Sequence, residues 1–329
     1  MRKEGAFTTS TKGCTTETKE TCNTGKFYYF KTIVALLLWL GAIPCNVALL
    51  LLAFFILPSG LSVLVLVVLA LLMLVSADER SSFGRNVSRF IFRYAFNYFP
   101  ITLHFEDIKA FYPEQAYVFG YEPHSVFALG TWALTDCAGL MPLPKIKMLA
   151  SSYLLCIPFQ RQIWRWMGLS PVSKKNFYSQ LAAGYSCIVV PGGMQEMLHM
   201  EHNSEVAFLK SRKGFVKIAM VTGSPLVPIF CFGQSYAFKW WKPDSSIFLK
   251  IYRATKFPTI FYWGLFGTPI PFKVPLHIVV GTPIKIKQNA QPTIEEINEA
   301  HNKFVASMQE LFEKNKSKFG YNELKLKVL

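Results

Sequence analysis

The chain has 329 residues, 51% of them apolar, and carries 35 Lys and Arg against 20 Asp and Glu, a formal charge of +15. That length allows one large domain or two ordinary ones with a sizeable core, and the apolar fraction points to membrane contact. The seven cysteines are scattered without a C-x-x-C spacing, which excludes the pattern of a disulfide framework or a zinc site.

In chain order, residues 1–26 are rich in Thr, Lys and Glu and are expected to be a disordered tail. Between Lys31 and Asp78 there is no charged residue. Pro58-Ser59-Gly60 divides this block, so residues 27–77 are predicted to form a transmembrane or re-entrant helical hairpin. Its first leg, Thr32 to Leu57, is long enough to cross a bilayer; the second, Leu61 to Ser76, falls short of the roughly twenty residues a span needs. Lys26 and Lys31 precede the hairpin, and Arg80, Arg85, Arg89 and Arg93 follow it. The positive-inside rule then places both flanks, and with them residues 78–329, on the cytosolic face. Asn86-Val87-Ser88 and Asn315-Lys316-Ser317 match the glycosylation sequon, and in a cytosolic domain both are chance matches.

Arg80 to Asn97 mixes Arg with Phe and Ile at the spacing of an amphipathic surface helix. After Pro100 the pattern becomes α/β. Ala116–Gly120, Tyr185–Val190, Pro225–Phe232 and His277–Val280 read as buried strands, and Phe215–Thr222 as a helix closed by Gly223. Thr293 with Glu296 forms a capping box that opens a helix running to about Lys316. Strands alternating with helices predict a mainly parallel sheet flanked by helices. Two aromatic stretches, Phe238–Lys242 and Phe257–Phe272, fit an interfacial surface, an acyl-chain pocket or ordinary core packing. The net charge calls for an anionic partner. No recognition motif or basic helix supports nucleic acid, so an anionic membrane surface or a cofactor such as coenzyme A fits better beside a hairpin.

Three segments carry candidate chemistry at predicted strand ends, where open α/β sheets bind ligands. The first is Tyr121-Glu122-Pro123-His124-Ser125, a proline-kinked turn presenting a histidine suited to proton transfer near neutral pH. A buried histidine satisfied by a backbone carbonyl is the plainer alternative. The second is Pro191-Gly192-Gly193 followed by Glu196, where the diglycine lets the backbone approach a ligand. The third is Arg212-Lys213-Gly214-Phe215 before a helix, a suitable phosphate site. The chain contains no G-x-S-x-G, Walker A or G-x-G-x-x-G motif. A histidine without an enzyme nucleophile suggests direct transfer, in which it deprotonates an acceptor hydroxyl that attacks an acyl thioester.

These segments, with Tyr98-Phe99-Pro100 and Phe232-Gly233, resemble the type 2 diacylglycerol acyltransferase family over residues 80–329, and the Glu-Pro-His-Ser form resembles its plant branch. The resemblance implies an endoplasmic-reticulum membrane enzyme, possessing no bound cofactor or metal, that makes triacylglycerol from diacylglycerol and acyl-coenzyme A. Association with lipid droplets and a homo-oligomeric state are compatible with it. The chain is distantly similar to glycerol-phosphate acyltransferases, whose orienting Asp would fall at Leu129, so Glu196 or Glu122 is left to orient His124. The candidate catalytic residues are therefore His124, Glu196 and Glu122. The candidate substrate-binding residues are Tyr121, Pro123, Ser125, Gly192, Gly193, Arg212, Lys213, Gly214 and Phe215. Monoacylglycerol or a long-chain alcohol as acceptor, and a non-catalytic lipid-droplet protein, are the alternatives.

Overall fold

The structure is a computed structural model that describes residues 15–17, 26–75, 78, 81–243, 250 and 260–329. Strand β1 (Thr15–Glu17) falls inside the tail expected to be disordered and pairs antiparallel with the edge of the main sheet; the rest of residues 1–25 lies outside the described residues. Helix α1 (Lys26–Leu36) continues through a π-helical turn, Leu37–Gly41, into α2 (Ala42–Phe55). Together they make one helix, Lys26–Phe55, long and apolar enough to cross a membrane. After Pro58, α3 (Ser59–Leu74) folds back against α2, and at 16 residues it is the shorter leg that the sequence predicts.

The hairpin is not a separate module. Leu36, Trp39 and Leu40 are buried in the main core. The carbonyl of Trp39, in the π-turn, accepts hydrogen bonds from Gln160 Nε2 and Trp164 Nε1, both at 2.8 Å. A π-turn interrupts the regular i to i+4 ladder, and here its carbonyl is satisfied by side chains. The other leg docks on the same short segment, because Gln162 Nε2 donates to Leu72 O at 2.8 Å and Arg161 donates to Met73 O. Helix α4 (Ser82–Tyr94), capped by Ser81, lies within the predicted amphipathic stretch; its buried face includes Gly84, Ile91 and Tyr94.

The remaining elements build a three-layer domain. In chain order they are β2 (Ile101–Phe105), β3 (Val118–Glu122), β4 (Ile146–Ala150), α5 (Gln160–Trp166), β5 (Leu169–Pro171), α6 (Lys174–Ala182), β6 (Ser186–Val189), α7 (Met194–His199), β7 (Ser204–Ala207), α8 (Gly214–Thr222), β8 (Leu226–Phe232), β9 (Lys239–Trp241), β10 (Phe261–Trp263), β11 (Leu276–Val280), α9 (Ile294–Lys316) and β12 (Lys325–Val328). The main sheet runs β1-β2-β11-β8-β3-β6-β4-β5. Its junctions are parallel except β1 with β2 and β11 with β8. The expected strands, the helix closed by Gly223 (φ +70°) and the full capping box at Thr293 and Glu296 are all present.

Strand β3 is buried along its whole length, as expected of a central parallel strand. One sheet face packs Phe119 and Tyr121 against Trp39, Phe99 and Trp132; the other packs Val118, Phe230 and Phe232 against Phe304, Met308 and Phe312 of α9. Gly120 makes room for this second layer, since a Cβ there would lie 2.3 Å from the Phe304 ring. The aromatic stretches divide between two fates. Phe238 is buried, and Tyr262 packs edge-on against Phe238 and Phe127, whereas Trp241, Phe261 and Phe266 are exposed; residues 257–259 lie outside the described residues. Because β3, β6 and β8 run parallel, their carboxyl ends share one edge, and the turns at 123–125, 191–193 and 233–234 emerge there together.

Candidate active site

Beyond that edge lies a cavity of about 890 Å³. His124, Gly192 and Gly193 line it, with Arg212, Lys213, Gly214 and Phe215 from the third segment. Three turns distant in sequence therefore meet as expected. Tyr121, Pro123 and Ser125, predicted to touch substrate, do not line the cavity. They form the scaffold behind His124: Tyr121 is fully buried and its hydroxyl donates to Gln234 Oε1 at 2.6 Å.

The imidazole is oriented by a main-chain group. Its Nδ1 lies 2.9 Å from the carbonyl oxygen of Ser125. A carbonyl only accepts, so Nδ1 carries the proton and Nε2 is left as the basic nitrogen. The plainer alternative, a carbonyl-satisfied histidine, thus describes one side of the ring, while the residue still lines the cavity. Ser125 turns its carbonyl back through a left-handed backbone, φ +54°, which a non-glycine residue adopts only under constraint from its surroundings.

Glu196 is also placed differently from the expectation. It is fully buried in the first turn of α7, and it holds main chain and not the ring. Its Oε1 accepts the His124 N–H at 2.5 Å, and its Oε2 accepts the Phe208 N–H at 3.1 Å. The diglycine turn makes this possible. A Cβ at Gly192 would sit 2.2 Å from Glu196 Oε2, and Gly193 has φ +54° with ψ −150°, a region open essentially to glycine.

Glu122, the second candidate, is fully buried, and neither of its oxygens accepts a hydrogen bond. Burial, then the neighbouring Glu196 carboxylate, push its pKa well above the usual carboxylate range. Both effects disfavour the charged form of Glu122. A third carboxyl, Glu205 on β7, completes this buried group; burial raises it to about 7, against a bond from Ser235 Oγ at 2.9 Å that favours the charged form.

Sequence reasoning missed Glu205, Gln234, Lys174 and Lys217. Gln234 follows the Phe232-Gly233 end of a strand, and Lys217 is the one charge within an otherwise apolar helix, Gly214–Thr222, so both left a signal. The cavity lining is divided in chemistry. Leu40, Trp132, Leu154, Trp164 and Leu169 make an apolar wall to which the N-terminal helix contributes. Lys174, Arg212, Lys213 and Lys217 make a basic one, and no Asp or Glu is among the described lining residues. Arg212 is committed to the wall by a bond to Gln195 and by lying over the Phe208 ring, and Lys213 donates to Asn298 Oδ1 at 2.7 Å. No group of metal-ligating side chains occurs among the described residues.

A mainly parallel sheet carrying a histidine turn beside a cavity with one basic and one apolar wall is an arrangement able to seat a molecule with an anionic and an apolar part. The model of the diacylglycerol acyltransferase family matches residues 53–328, and the chain belongs to that family and is an acyltransferase. With the long apolar helix at its N-terminal end, it is a membrane-associated one. Among relatives, diacylglycerol O-acyltransferase 1 of Schizosaccharomyces pombe is 33% identical over 272 residues, covering 76% of this chain and 77% of its own. The 2-acylglycerol O-acyltransferase 1 of Bos taurus is 32% identical over 266 residues, 74% and 77% of the two chains. Diacylglycerol O-acyltransferase 2 of Xenopus tropicalis is 31% identical over 270 residues, 74% and 72%. A solved 1-acyl-sn-glycerophosphate acyltransferase from Thermotoga maritima aligns over 87% of this chain and 94% of its own, with 14% identity and a TM-score of 0.42.

Proposed function

We propose that the protein transfers a fatty acyl group from acyl-coenzyme A to the free hydroxyl of diacylglycerol, forming triacylglycerol, with His124 as general base. The observation that carries this reading is the single cavity shared by His124, a four-cation wall and an apolar wall. The basic wall suits the phosphates of coenzyme A, and the apolar wall suits an acyl chain. In the step itself, His124 Nε2 takes the proton of the acceptor hydroxyl as that oxygen bonds to the thioester carbonyl carbon. The tetrahedral adduct collapses with cleavage of the C–S bond, and the departing thiolate takes the proton from the imidazolium. Gly192 and Gly193 leave the wall free of side chains where the thioester must approach. No acyl-enzyme forms.

The hairpin belongs to the same reading. Helix α3 spans ~24 Å, less than the ~30 Å of a hydrocarbon core. Both legs return to α5 and the residues at its start. This supports a hairpin that enters and leaves on one face, residues 27–77 being the membrane element and 78–329 the cytosol-facing domain of an endoplasmic-reticulum enzyme with access to lipid droplets. Acylation of monoacylglycerol is the second reading, favoured by the likeness to the bovine relative. Purified full-length protein given labelled acyl-coenzyme A and a panel of diacylglycerol, monoacylglycerol, long-chain alcohol and glycerol phosphate decides between them. Diacylglycerol should give the highest kcat/KM, and preference for another acceptor would reject the assignment.

A further inference from the structure

We infer that Gln234 is a positioning residue for acyl transfer: it grips one polar atom of the peptide bond that carries His124, while Glu196 grips the other. The Pro123–His124 peptide has two such atoms. Its carbonyl, on Pro123, accepts from Gln234 Nε2 at 2.7 Å, and its N–H, on His124, donates to Glu196 Oε1 at 2.5 Å. Both side chains are almost wholly enclosed, with exposures of 1% and 0%. A planar peptide held at both ends cannot turn about its flanking ψ and φ bonds without leaving a buried polar group unpaired. The direction in which His124 leaves the main chain is thereby set by two side chains, one following β8 and one in α7. This inference rests on the reading of His124 as the base.

The other end of the same carboxamide secures the surroundings. Gln234 Oε1 accepts from the Tyr121 hydroxyl at 2.6 Å and from the Gly130 N–H at 3.0 Å. The Pro123 carbonyl can only accept and the Gly130 amide can only donate, so the orientation of the carboxamide is determined by its partners. One side chain ties the strand before the turn, the turn itself and the segment after it. Two glycines open the space. Gly233 has φ +92°, and a Cβ there would meet Pro275 O at 2.0 Å; a Cβ at Gly130 would lie 2.4 Å from the Tyr121 hydroxyl. Gln234 does not line the cavity, so it acts on the reaction through His124 alone.

The test compares full-length wild type with Gln234→Leu, Gln234→Glu and His124→Ala. Gln234→Leu removes all three bonds at similar volume and should lower kcat about 10- to 100-fold while KM for acyl-coenzyme A stays within about twofold. Gln234→Glu retains the accepting oxygen and places a carboxyl against the Pro123 carbonyl. As the neutral acid it donates there, and as the carboxylate it repels. The titratable groups around this position are Tyr121, Cys231, Glu122, Glu196 and Glu205, with His124 across the clamped peptide. The acids among them favour the neutral form of the new carboxyl. The variant should therefore match wild type at low pH and lose kcat as pH rises, along a limb absent from the wild-type profile. If His124→Ala is dead but Gln234→Leu keeps its kcat, the positioning role is overturned and the base assignment stands. An active His124→Ala overturns both. A wild-type pH profile for folded Gln234→Glu also overturns the positioning role, because the rate would then not depend on the donor bond to the Pro123 carbonyl. Should the Leu variant fail to fold, the pH limb of Gln234→Glu decides alone.

Discussion

Glu196 Oε1 lies 2.5 Å from the backbone nitrogen of His124, while the ring of the same histidine takes its bond from the Ser125 carbonyl. Carboxylate and imidazole are linked through the main chain, so Glu196 holds the backbone of His124 and does not touch its ring.

This separates the two candidate glutamates. Glu196 accepts two main-chain N–H groups, and Glu196→Gln must turn an NH₂ toward one of them, leaving buried donors opposed. Its kcat should fall about 100-fold. Glu122 accepts nothing, and burial disfavours its charged form, so Glu122→Gln breaks no bond to the main chain and should keep at least about a third of wild-type kcat. Kinetics on matched, membrane-inserted variants check this; the reverse ranking would make Glu122 the partner of His124.

Glu205 gives a signed pH dependence. Its folded-state pKa of about 7 lies above its ordinary value of 4.5, chiefly through burial. The folded protein binds this proton more tightly than the unfolded chain does. Stability from this group is complete below pH 4.5, falls as pH rises through the window to 7, and is level above it, a loss of roughly 3 kcal/mol at most. Thermal unfolding in mild detergent at pH 5 and pH 8 should show a smaller drop for Glu205→Gln than for wild type. Parallel drops would remove Glu205 as the cause.

The basic wall predicts a donor-selective effect. The Lys217 amine has no hydrogen bond or ion pair among the described residues, and the Lys174 amine only lies over the Tyr178 ring. Both lysines are free to meet phosphate. Lys217→Glu and Lys174→Glu should raise KM about tenfold for acyl-coenzyme A and change it little for the acyl-pantetheine thioester. Equal effects on both donors would place the phosphates elsewhere.

Topology is testable at Asn86, whose side chain accepts from Arg89 on the surface of α4. Both termini should be cut by protease in intact microsomes, and Asn86 and Asn315 should carry no glycan. A glycan at either site, or a protected terminus, would overturn the one-sided hairpin.

The linear sequence determined whatever is encoded locally. The uncharged block broken at Pro58, the capping box at Thr293, the all-apolar run of β8 and the proline and glycine turns at 123 and 192 are each readable within a few residues, because turn geometry and burial periodicity are short-range properties. Parallel strands also require crossovers, so the meeting of the three turns at one sheet edge was foreseeable as a class of arrangement. Only the tertiary structure decided which atoms meet there. Gln234 and Pro123 are 111 residues apart, and Glu196 and His124 are 72 apart. Whether a carboxylate faces a ring or a backbone amide depends on ångström-scale packing of separate segments. The same holds for the raised pKa of Glu122, which follows from its burial and then from two other acids, from α7 and β7, enclosed beside it.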